Sequence, residues 1–314
     1  MKHARILFAL AAAAALVACG DDKDDSNGTT GPTKDIVELA QGNPDLSTLV
    51  EAVVAADLTS TLKGAGPFTV FAPTNAAFAS LLTELGVTKE QLLANKPLLT
   101  AVLQYHVLGA KVAKADIPLG KAITPVGSGF FKIEASGADV VIQDGRNRTA
   151  KITATDVAAT NGLVHVIDHV ILPADKDLVD TALALPDFSI LAEAVVAADL
   201  ATTLKGAGPF TVFAPTNAAF AALLAELGVT KDQLLANKAL VTKVLTYHVL
   251  AARVLEADVT PGAQPNTVQG ENFSISSGFV VTDKRSRTAN ITATDVFTSN
   301  GVIHVLDKVI LPSP

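Results

Sequence analysis

Apolar positions between Leu46 and Ala56 fall at Leu46, Leu49, Val50, Val53 and Val54, the 3.6-residue stripe of an amphipathic helix. After Gly66-Pro67, the short, mainly apolar run Phe68–Ala72 suits a buried strand. Thr74 stands where an N-cap belongs, opening a helix that runs through Leu85 and stops at Gly86. Thr88 and Gln91 have capping-box spacing for the next helix, and Pro97 suits the first turn of another that ends at Tyr105-His106. The pattern then changes. Segments Phe130–Ala135, Val140–Gln143, Ile152–Thr155 and Leu163–Leu172 predict strands, with Asp144-Gly145 marking a hairpin turn. Helices first and strands afterwards predict an α+β fold rather than alternating βαβ units.

This pattern occurs twice. Lys63–Leu82 returns as Lys205–Leu224 with Ser80 against Ala222 as the single difference, and Thr149–Pro173 returns as Thr288–Pro312. The second copy is three residues shorter between these blocks, a loss expected in a loop near Gly120–Gly129. Asp35–Pro173 and Asp177–Pro312 are therefore read as two tandem domains. Their join is only a few residues long, which predicts a semi-rigid pair.

The first residues follow another rule. Lys2, His3 and Arg5 precede a short apolar run, Ile6–Ala15, so residues 1–18 read as an export signal, too short for an ordinary transmembrane helix. The run ends in Leu16-Val17-Ala18-Cys19, which resembles the box of bacterial lipoproteins, and Cys19 is the chain's single cysteine. Lipidation at Cys19 and a flexible acidic tether over residues 19–34 are expected. This places the chain in the bacterial cell envelope, held at the outer membrane on its periplasmic side or at the cell surface.

Composition narrows the function. The chain is 49% hydrophobic and 18% charged, which gives each half enough apolar surface for a core. Its net charge of −7 argues against nucleic-acid binding. One basic region stands out, with Arg146, Arg148 and Lys151 in the first copy and Lys284, Arg285 and Arg287 in the second, a candidate site for anionic polysaccharide or lipid head groups. Asn147-Arg148-Thr149 and Asn290-Ile291-Thr292 match glycosylation sequons and are read as incidental.

Thr69-Val70-Phe71-Ala72-Pro73-Thr74-Asn75, Tyr105-His106 and Asn161-Gly162 followed by Val164-His165-Val166-Ile167-Asp168 resemble the two boxes and central Tyr-His pair of the fasciclin (FAS1) domain. Phe213–Asn217, Tyr247-His248 and Asn300-Gly301 with His304 and Asp307 repeat the resemblance. It implies two tandem FAS1-like domains, each a β-wedge or sandwich with flanking helices, used in adhesion and matrix contacts. It also implies candidate adhesion residues: the pairs Tyr105, His106 and Tyr247, His248, then Asp116-Ile117, with Asp258-Val259 as a conservative departure. His165 and His304, inside apolar strands, read as hydrogen-bonded core residues, while His169 becomes Lys308 in the second copy.

Neither copy carries HExxH, GxSxG or a phosphate-binding glycine loop, so no catalytic residues, metal or cofactor are assigned and the expected class is non-enzymatic. The partner expected is a protein or polysaccharide of the matrix or cell surface, with the membrane reached through the lipid. An envelope glycan- or small-molecule-binding protein, using a pocket between helices and wedge, is the alternative.

Overall fold

The computed structural model describes residues 31–314, so the signal segment, Cys19 and most of the tether lie outside it. In the first copy α1 (Ile36–Gln41), α2 (Ser47–Ala55) and α3 (Thr59–Leu62) precede β1 (Phe68–Pro73). Next come α4 (Asn75–Leu85), α5 (Lys89–Ala94), α6 (Lys96–Tyr105), β2 (Val107–Leu108), β3 (Ala122–Ile123), β4 (Phe131–Ser136), β5 (Asp139–Gln143), β6 (Thr149–Ala159) and β7 (Gly162–Ile167). The second copy repeats the order with α7 (Leu178–Ala184), α8 (Ser189–Ala197), α9 (Ala201–Leu204), β8 (Phe210–Pro215), α10 (Asn217–Leu227), α11 (Lys231–Ala236) and α12 (Lys238–Tyr247). It ends with β9 (Val249–Leu250), β10 (Ser274–Ile275), β11 (Val280–Thr282), β12 (Thr288–Thr298) and β13 (Gly301–Leu306).

Local chemistry accounts for the helix ends. Thr74 Oγ1 accepts from the Ala77 amide, Gly86 closes α4 in the left-handed region at φ 64°, and Thr88 and Gln91 form a reciprocal capping box. Asn75 does something less local. Its Oδ1 accepts from the Thr48 amide at 2.9 Å and its Nδ2 donates to the Pro44 carbonyl, so it caps the start of α2 rather than its own helix.

Each sheet is mixed. In the first, the order is β2-β1-β7-β6-β5-β4-β3, with β1 and β7 parallel and the other pairs antiparallel. The long β6 meets β5 near its start and β7 beyond it, and the register shifts between Ile152 and Val157, where Asp156 takes φ 59°. A bulge there bends the strand and curls the sheet into a wedge. Two cores result. Val70 and Ala72 of β1 face the helices with Leu49, Phe78 and Leu99, while Phe71 faces into the wedge with Tyr105, Phe131, Ile133, Ile142 and Ile167. This two-sided burial is why β1 does not alternate exposed polar with buried apolar residues; its one hydroxyl, Thr69, is buried and donates to Ala110 O at 2.7 Å.

Three expectations change. The residues missing from the second copy are not lost near Gly120–Gly129. Gly120 donates to Ile133 O and Gly262 donates to Ile275 O in the same way, so the shortening lies further on, in the hairpin joining β4 to β5. The strand expected over Leu163–Leu172 stops at Ile167, because the amides of Ile171 and Leu172 donate to the side chains of His106 and Asp144 instead of to a neighbouring strand. Val54, the last position of the predicted stripe, is 57% exposed.

Candidate functional site

The Tyr-His pairs lie inside the protein. Tyr105, His106, Tyr247 and His248 are all within 1% of complete burial. The Tyr105 hydroxyl donates to Phe130 O and that of Tyr247 to Asn272 O, so each tyrosine ties the end of the helical half to the wedge. Burial, and after it the charge of Asp144, pushes the Tyr105 pKa up; burial pushes that of Tyr247 up to about 12. Burial also pushes both histidines down to about 4, fixing the neutral ring. The His106 Nδ1–H then donates to Val102 O at 2.7 Å, while Nε2 accepts from the Ile171 amide at 3.1 Å; His248 repeats this with Val244 and Ile310. The expectation that these four residues touch a partner is corrected, since they present no surface.

The candidate basic region is mostly engaged in ion pairs within the protein. Asp144 is buried and acts as a hub, accepting from the Arg146, Arg148 and Leu172 amides and from the Arg148 guanidinium at 2.6 Å. Arg148 also pairs with Glu84, Arg146 with Asp175 and Lys151 with Asp139. In the second copy Asp283 takes the place of Asp144, and Arg287 pairs with it and with Glu226. The region is thus largely charge-balanced. Among the described residues Lys284 and Arg285 are the two of these six without an ion pair.

The Asp-Ile positions separate the copies. Asp116 ends a short 3-10 turn, Lys114–Asp116, and is exposed, while Ile117 is buried in the wedge core. Asp258 in the second copy is engaged: Lys121 Nζ of the first copy lies 2.9 Å from its Oδ1 and also donates to Ala257 O. Burial works against the charge of Asp258, but the bonds from Lys121 and the Leu255 amide hold its pKa below the usual value. Val259 is half-buried beside the second wedge core.

Asp258 belongs to a larger contact that the sequence pattern did not reveal. Lys132 of β4 reaches across to Asp295 of β12 at 2.7 Å, with side-chain exposures of 5% and 1%, and also meets Glu134 at 2.5 Å. Burial works against the charge of this ammonium, but its bonds to Asp295 and Glu134 outweigh that and hold its pKa above the usual lysine value. Asp295 Oδ1 further accepts from the Glu256 amide at 2.9 Å. Beside the pair, the rings of Phe130 and Phe297 meet at 4.6 Å with Leu255 and Val302 around them, and the Arg253 guanidinium stands 4.2 Å over the Phe130 ring. Asn147 exchanges two hydrogen bonds with the Phe297 backbone, and Gln143 donates to Asp295 O at 2.7 Å. The sequon at Asn147 thus carries a structural amide.

A signal for this contact does exist in the sequence. Phe130, Lys132, Asn147, Leu255 and Phe297 are positions where the copies differ, with Asn272, Ser274, Ser286, Ala113 and Ala158 as their counterparts. His165 and His304 are buried in the wedge, each Nδ1 accepting from the amide of the bulge aspartate, Asp156 or Asp295. No group of three or more His, Cys, Asp or Glu is placed to hold a metal, and no helix is long and apolar enough to cross a membrane, among the described residues.

The geometry defines a duplicated α+β wedge whose signature residues serve the interior and whose copies are joined by a buried, polar-and-aromatic contact. The model of the Fasciclin domain matches residues 44–173 and again 186–312, and the chain belongs to the fasciclin family. It is 43% identical to protein sll1483 of Synechocystis sp. over 47% of this chain and 78% of that one. Identity is 30% to transforming growth factor-beta-induced protein ig-h3 of Sus scrofa over 80% of this chain, and 27% to human periostin over 89%. The chain spans about a third of those two proteins, 35% and 31% of their lengths. Among solved structures it aligns with a FAS1 domain pair from the insect cell adhesion molecule Fasciclin I, at 20% identity and a TM-score of 0.44, over 86% of this chain and 98% of that one.

Proposed function

We propose that this chain is a non-enzymatic adhesion protein of the bacterial cell envelope, exported, held by lipid on Cys19, and presenting two fasciclin domains as one stiff unit to a protein or polysaccharide of the matrix or a cell surface. Fasciclin domains are found in cell-adhesion and matrix proteins, and here they make up nearly all of the described chain. The observation that carries the reading is the Lys132–Asp295 contact with its Phe130–Phe297 stack. It removes the hinge that a short linker would otherwise leave, so force or reach is transmitted through both domains.

The same contact narrows the adhesive surface. Of the eight candidate residues, Asp116 is the one both exposed and without an ion pair among the described residues. Its face of the first domain corresponds to the face of the second domain that the first already covers. Attachment of cells carrying the full chain to matrix-coated surfaces tests this. Asp116→Arg is expected to reduce attachment and Asp258→Ala to leave it unchanged, because Lys121 already occupies Asp258. Protease applied to intact cells should release the domains. Attachment that persists when the whole chain is deleted, or domains shielded from protease, would sink the reading.

A further inference from the structure

In the second domain α8, α10, α11 and α12 enclose a cavity of about 150 Å3, lined by Phe220, Leu223, Leu234, Val241 and Val244 among other apolar side chains. Leu227 lines it too and is 43% exposed, so the cavity reaches the surface. The single charged residue in its lining is Arg285.

Comparison with the first copy isolates what makes this place different. Every lining position carries the same residue type there except one: Leu99, buried to 1% exposure, stands where the second copy has the smaller Val241. The arginines differ in their company. Arg146 is drawn to Asp175 at 3.1 Å, whereas the position matching Asp175 is Pro314, and Arg285 makes no ion pair among the described residues, donating only through Nε to Pro312 O at 3.0 Å. A removed methylene and an uncompensated guanidinium thus occur together at one opening.

We infer that this cavity is a binding site for a small amphiphilic carboxylate, its apolar body among Phe220, Leu234 and Val244 and its head group on Arg285. An apolar cavity of about this volume accepts a body the size of benzene. A guanidinium at the rim recognises a carboxylate through paired N–H donors. A mostly apolar lining with one oriented polar group is the usual construction of a small-molecule site. The site stands apart from the adhesive reading and survives its failure.

Hexanoate at neutral pH, with hexan-1-ol as the uncharged probe, tests the inference on the full chain by calorimetric titration and by methyl NMR of Leu234 and Val244. Saturable hexanoate binding that shifts those methyls is expected. Val241→Leu, which restores the residue the first copy tolerates, should weaken both probes about tenfold or more while leaving the fold intact by circular dichroism. Arg285→Gln should weaken hexanoate about tenfold and leave hexan-1-ol unchanged. Absence of saturable binding, or equal binding by the Val241→Leu chain, overturns the site. Equal affinity for the two probes overturns its anionic specificity.

Discussion

Asp156 and Asp295 occupy the same bulge in the two copies, with φ of 59° and 56°, yet one is exposed and the other 1% exposed. Asp156 accepts from the Lys114 amide and faces solvent, whereas Asp295 accepts from the Glu256 amide and additionally holds Lys132 of the other domain. Around them Ala113 and Ala158 in the first copy are Leu255 and Phe297 in the second. The fasciclin fold therefore tolerates either a solvated or a docked version of this face. The choice rests on a few side chains, Lys132 and Phe130 in the first copy and Leu255 and Phe297 in the second, that differ between the copies.

Breaking the docked version gives the largest effect. Asp295→Ala leaves the buried Lys132 with the half-exposed Glu134 alone and should cost about 3–5 kcal/mol, since removing one partner of a buried ion pair leaves the other charge undercompensated. Asp156→Ala should cost about 1 kcal/mol or less, the value of one exposed hydrogen bond. Chemical denaturation measures both, and calorimetry of the Asp295→Ala chain should show the two domains unfolding separately where the wild type unfolds together. Replacing Lys132 and Asp295 jointly by apolar residues should recover most of the loss.

Acid probes what the copies share. His106 and His248 have folded pKa values near 4 against about 6.5 unfolded, so below pH 6.5 the unfolded chain binds protons first. Stability should fall progressively from about pH 6.5 to about pH 4, by about 3 kcal/mol for each histidine, a contribution that is fully lost below that. Urea midpoints across this range check it. A flat profile would show that the rings are not held neutral.

Smaller changes sharpen the comparison. Phe297→Ala removes one ring of the inter-domain stack and should cost about 3 kcal/mol, whereas Ala158→Phe adds an exposed ring with little effect on stability. Lys121→Ala breaks an exposed pair with Asp258 and should cost less than about 1 kcal/mol, fading in high salt. An effect as large as that of Asp295→Ala would move the centre of the interface to its rim.

Much of each domain was legible because its signals are local. The cap at Thr74, the stop at Gly86, the capping box at Thr88 and the first-turn Pro97 are set by neighbours within four residues, and all four lie at the helix ends where the sequence puts them. Asn161 was legible as a turn but not as a clamp. Its Oδ1 accepts from the Ile36 amide and its Nδ2 donates to Leu62 O and Gly64 O, partners far away in the chain. The candidate site fared worse for the same reason. Tyr-His next to apolar residues fits both a surface patch and a sealed joint, and a run of arginines does not disclose that Asp144, Glu84 and Asp175 fold onto it.

The sequence by itself determined that there are two copies, that each is α+β, and where most helices begin and end, because repetition, periodicity and capping are properties of neighbouring residues. Tertiary structure alone decided that Tyr105 and His106 turn inward, that Asp258 is taken while its counterpart Asp116 is free, and that Lys132 meets Asp295. Those outcomes depend on which surfaces exclude water together. Exclusion of this kind is set by groups far apart in the chain, 25 residues for Tyr105 and Phe130 and 163 for Lys132 and Asp295, and no local pattern carries it.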